Sequence, residues 1–102
     1  MGIKYGGDES DTNSSIYLSG RKTVNISGII AAVGSQAADD RQFVKVTNVG
    51  DETVYYGPQG SVVADMDELE PHNWVEIALT SDIELLLRTA SGTSDVIIQE
   101  IG

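Results

Sequence analysis

Cysteine is absent from all 102 residues, which excludes a disulfide framework and a thiolate metal site. Histidine is nearly as scarce: His72 is the only one, and it sits in the polar loop Glu70-Pro71-His72-Asn73. With no thiol and a single loop imidazole, the common nucleophile and general-base partnerships lack material, and the expectation is a chain that is not an enzyme. Basic residues are few as well. Six lysines and arginines stand against sixteen aspartates and glutamates, a formal charge of −10, which repels nucleic acid phosphates and anionic membrane surfaces. The apolar run Ile29-Ile30-Ala31-Ala32-Val33 falls far short of the roughly 18 residues of a membrane-crossing helix. The start MGIKYGGDES shows no basic-then-apolar leader. The expectation is a product that stays in the cytoplasm, with neither nucleic acid nor membrane as a partner.

What is present is short-range alternation. Val24 and Ile26 alternate with Thr23, Asn25 and Ser27; Val44 and Val46 with Lys45 and Thr47; Val54 and Tyr56 with Thr53 and Tyr55. Val75, Ile77 and Leu79 follow, then Ile83, Leu85 and Leu87, then the terminal VIIQEIG. Period two marks half-buried strands, and turn residues separate these runs roughly every ten positions. The break Asn48-Val49-Gly50-Asp51 between two alternating runs predicts a β-hairpin, and Ser61-Val62-Val63-Ala64 a short strand. About seven strands without a convincing helix predict an all-β fold, a small antiparallel β-sandwich or jelly-roll-like barrel. Residues 1–20, rich in Gly, Ser, Asp and Asn without lasting period, read as an extended N-terminal arm; residues 21–102 read as the sandwich domain. A domain this small buries only somewhat more than about 60% of its chain surface, so association is a natural source of further stability.

The acidic residues offer two candidate chemistries. Asp65/Asp67 and Glu68/Glu70 are carboxylate pairs, but glycoside hydrolysis needs two carboxylates across a cleft, and neighbouring loop acids are ordinarily solvated. Glu9, Asp11, Asn13 and Ser15 place oxygens at alternate positions as a calcium loop does. There the turn position is Ser14 instead of glycine, and the closing glutamate position falls on Gly20. No cofactor is expected. Alternation also pushes Tyr55, Leu86 and Ile97 off the core face, where a second sheet, the arm or a subunit must cover them. Trp74, the single tryptophan, suits either a core cap or an interface anchor.

The C-terminal half carries Thr47-Asn48, Gly50, Val54-Tyr55 and Gly57, then Leu69 and Pro71, then Ala90-Ser91-Gly92-Thr93 with Asp95-Val96, and finally Glu100-Ile101-Gly102. This series, TN-x-G-x-x-x-V-Y-x-G, L-x-P, A-S-G-T-x-D-V and E-I/V-G, resembles a module of small tailed-phage structural proteins. One departure is His72 after Pro71, where the module continues with glycine. The resemblance implies a virion protein, a capsid decoration or cement protein made in the host cytoplasm. It would bind the outer head surface, with the major capsid protein and copies of itself, as dimer or trimer, for partners. Under this reading Ile3, Tyr5, Ile16, Tyr17 and Leu18 serve arm-mediated contact, and Tyr55, Trp74 and Leu86 a subunit or shell interface. Two alternatives stand beside it: a tail, baseplate, fibre or head-tail connector component, and a carbohydrate-binding β-sandwich whose exposed aromatics stack on sugars.

Overall fold

The computed structural model describes residues 16–102. Ile3 and Tyr5 of the expected arm, and the acidic ladder Glu9 to Ser15, lie outside the described residues. Among the described residues eight strands form: β1 (Tyr17–Val24), β2 (Ile29–Ile30), β3 (Phe43–Asn48), β4 (Val54–Pro58), β5 (Asp67–Leu69), β6 (Trp74–Ala78), β7 (Leu85–Thr89) and β8 (Ser94–Ile101). They make two four-stranded sheets, ordered β1-β8-β3-β6 and β2-β7-β4-β5, with every pairing antiparallel. Successive strands change sheet at all but one connection, the order of a jelly roll.

Alternation decides which side of each strand enters the core. Val24, Val44, Val46, Val96 and Ile98 of the first sheet meet Val54, Leu69, Leu85 and Leu87 of the second, all nearly or fully buried. Their β-branched and leucine side chains fill the gap between pleated surfaces.

Three expectations change. The hairpin at Val44 to Tyr56 is a correction: β3 pairs with β8 and β6, whereas β4 pairs with β7 and β5. Residues 49–53 arch between the sheets instead of folding β4 back on β3, so both strands turn their apolar faces into one shared core. Ser61–Ala64 is not a strand; a 3-10 turn spans Val63–Asp65, and the short strand comes later, as β5. The arm boundary at residue 20 falls inside β1, whose Tyr17 to Gly20 pair with Ile101 to Ile98 of β8.

Each end of the sandwich is closed by a buried polar group. At one end the Asn48 amide donates to the carbonyls of Glu52 (2.7 Å) and Leu69 (3.0 Å), while its Oδ1 accepts from Gly50 N–H (3.1 Å) and Ser94 Oγ (2.8 Å). Four bonds exhaust what an asparagine side chain can make. Its backbone joins in, accepting from His72 N–H and donating to Asn73 O. Gly50 lies so close to β8 that a Cβ would collide with Ser94 Oγ and stand 2.8 Å from Asp95 N.

At the opposite end Arg41 and Glu100 form a buried ion pair at 2.8 Å. Arg41 also donates to the carbonyls of Ala31, Ile83 and Thr80, and Glu100 accepts from Val33 and Ala38 N–H, both at 2.8 Å. Burial pushes the Glu100 carboxyl up, but the bonds from Ala38, Val33 and Arg41 together outweigh it and hold the group below its ordinary range. The pair thus ties the long β2–β3 and β6–β7 connections to β8.

Candidate functional site

The outward side chains of the first sheet lie in register across four strands. One row runs Tyr17, Ile101, Phe43, Ala78; the next Ser19, Gln99, Lys45, Glu76; the third Arg21, Ile97, Thr47, Trp74. Tyr17 is 60% exposed, Trp74 58% and Phe43 39%. These are the three aromatics with the greatest exposure among the described residues, and strand alternation puts all of them on one side of one sheet. Ile97 and Ile101 between them are half-buried.

Polar contacts order the face. Gln99 Nε2 donates to Tyr17 Oη at 2.6 Å, and Lys45 Nζ stands 4.5 Å from the centre of the Trp74 ring. An ammonium over an indole at that range is attracted by the ring's negative face and fixes its orientation. Arg21 and Thr23 both reach the Asp95 carboxylate, at 3.5 and 2.7 Å. Aromatic side chains held by such contacts lose little freedom when covered, which suits them as anchors.

The expected contact residues divide. Tyr17 and Trp74 share this face on its two edge strands. Ile16 precedes β1, half-buried, its carbonyl accepting from Gly102 N–H at 3.0 Å. Leu18 points to the inner side of edge strand β1 and is 42% exposed. Tyr55 and Leu86 lie on the outer face of the other sheet, across the sandwich, so the eight residues do not form one patch. That second face is already occupied in part. Arg88 donates to the carbonyls of Ser61 and Ile26, and Met66, buried, packs by Gly57; Leu86 Cδ1 lies 2.9 Å from where a Cβ on Gly28 would stand. Gly28 has φ +91°, a conformation a side chain would resist. Burial first, and Asp67 second, push the Tyr56 phenol up on the inner side of β4.

Phe43 and Ile101 are not among the contact residues expected from the sequence, although the alternation Phe43-Val44-Lys45-Val46-Thr47 places Phe43 with Lys45 and Thr47 away from the core. The signal was present, but only the β8 partner makes those residues neighbours.

No catalytic constellation forms among the described residues. His72 is exposed in the β5–β6 turn with φ +69°, its N–H bonded to Asn48 O at 2.7 Å. Asp65, Asp67, Glu68 and Glu70 are all exposed. No group of three or more metal-ligating side chains converges among the described residues. An open depression at the Arg41 end is lined by Asp40, Gln42, Thr80, Ser81 and Gly102, and the Arg41 guanidinium at its floor is engaged by its internal partners. No described helix is long and apolar enough to cross a membrane. Neither a protein-family model nor a curated protein matches the chain.

Proposed function

We propose that the protein is a non-enzymatic virion structural protein, a capsid decoration or cement protein that joins the outer surface of an assembled head and stabilises the shell. The observation that carries this reading is the ordered aromatic face of the first sheet, with Tyr17, Phe43 and Trp74 exposed on an otherwise acidic body. Exposed aromatic anchors ordered by polar neighbours are the composition of a protein contact surface. The spaced motifs of the C-terminal half, with their resemblance to small tailed-phage structural proteins, supply the setting. A jelly roll fits it as one of several, since the same architecture serves capsid and lectin domains alike. Mechanistically, a protein that binds only the expanded shell stabilises that state by mass action, and many copies on one lattice turn modest contacts into avidity.

The test is co-sedimentation of the purified chain with expanded, DNA-free phage heads, scored by copy number per head. Hundreds of copies per head, reduced when Trp74 becomes Glu, support the reading; no binding, or about a dozen copies or fewer, moves the protein to the tail or connector. Exposed Trp74 also suits sugar stacking, and saturable binding to a glycan panel by the isolated protein would favour a carbohydrate-binding module instead.

A further inference from the structure

We infer that the aromatic face of the first sheet is a self-association surface, occupied by the same face of a second copy. This rests on the reading of that face as a protein contact surface and names its occupant.

The argument is one of charge. The chain carries −10, so two copies approaching at random repel each other. On this face the charges cancel: Arg21 and Lys45 are matched by Asp95 and Glu76. The net negative charge of the described residues therefore lies off this face. Arg21 and Asp95 already pair across β1 and β8, while Lys45 and Glu76 lie opposite each other on β3 and β6. A strongly basic partner would gain little here, because the acidic surface that attracts it lies on other sides; an acidic partner is not repelled. The chain itself is such a partner.

Shape agrees. An interface between two identical faces is self-complementary about a two-fold axis, each residue meeting its counterpart's partner in both directions. With the axis running along the strands, β1 of one copy lies over β6 of the other and β8 over β3. Arg21 then comes to the Trp74 ring of the second copy, and Ile101 to its Phe43. The edges of the face bring cation to indole, and its centre brings apolar to apolar.

The expected strength is modest. Four strands about 4.8 Å apart and five to eight residues long, at about 3.3 Å each, present a face of roughly 400 Å² in projection. That is at the small end of specific interfaces, where association is weak and transient. On a shell lattice, where neighbours are held close, such contacts suffice through avidity.

Sedimentation velocity of the full chain from about 1 to 300 µM tests the inference. Wild-type protein should pass from monomer to dimer across that range, and Phe43→Glu and Trp74→Glu should stay monomeric throughout. Val62→Glu is the control, because Val62 is 57% exposed, lies outside the face and takes the same change of charge; it should dimerise as wild type does. Circular dichroism and thermal midpoints check that all three variants fold. Wild type that remains monomeric to 300 µM, or Phe43→Glu that associates as well as wild type, overturns the inference. Head binding separates this outcome from the proposed function. A monomer that binds heads and loses binding with Phe43→Glu assigns the face to coat subunits, overturning self-association while the shell reading stands. A dimer that ignores heads supports self-association and removes the shell reading.

Discussion

Asn48 spends both amide donors and both lone pairs of its side-chain oxygen on the loops around it. Removing that side chain leaves the buried Leu69 carbonyl and Ser94 hydroxyl without this partner, and the part-buried Glu52 carbonyl and Gly50 N–H as well; each buried group left unpaired costs about 1–3 kcal/mol. Asn48→Ala should therefore lose about 3 kcal/mol or more, measured by urea unfolding, out of the 5–15 kcal/mol or so typical of a domain. Glu100 makes a pH-dependent counterpart. Its folded pKa is held below its unfolded value, so its stabilisation is complete above the unfolded pKa and is lost as pH falls through the lower, folded one. Glu100→Gln leaves the Arg41 charge buried without its partner, a loss of about 3–5 kcal/mol. Comparison of unfolding midpoints at pH 7 and pH 3 should show wild type converging on the variant in acid. His72 runs in the other direction. Held at φ +69° where a side chain is disfavoured, it should give up to about 1 kcal/mol when replaced by glycine; a thermal midpoint that falls would show that the imidazole makes a contact worth more than the backbone cost.

The strands show how much of the element scale was legible. Alternation located β3, β4, β6, β7 and β8 and their inward faces, because period two is a local property of five or six residues. Partnering is not local. The arch after Asn48 resembles a hairpin turn in composition, and only the buried amide, with Gly50 pressed beneath Ser94, shows the chain crossing to the other sheet. β5 leaves no mark in the sequence, because three residues are too few to display a period. The motif residues have a similar lesson. Asn48, Gly50, Glu100 and Gly102 all lie in the end closures: a Cβ on Gly102 would collide with the carbonyl of Asp40. They specify how the sandwich is shut, so the pattern they form speaks first to architecture. The candidate face was half legible, Tyr17 and Trp74 having been singled out separately; Phe43 and Ile101 join them only through the pairing of β3 and β1 with β8.

For the whole molecule, charge sets the conditions of assembly. Two bodies of −10 repel wherever their acidic sides come near, and the screening length shrinks from about 30 Å at 0.01 M salt to about 8 Å at 0.15 M. Self-association should consequently tighten as salt is added, while binding to a basic surface would weaken. Sedimentation at the two ionic strengths distinguishes them by the sign of the change alone. The single tryptophan adds one more consequence. Trp74 stands exposed at the margin of the face, beneath Lys45, and no second indole contributes to the emission. Any partner that covers the face dries that ring and shifts its fluorescence to the blue, so the protein carries an intrinsic optical reporter of its own occupancy.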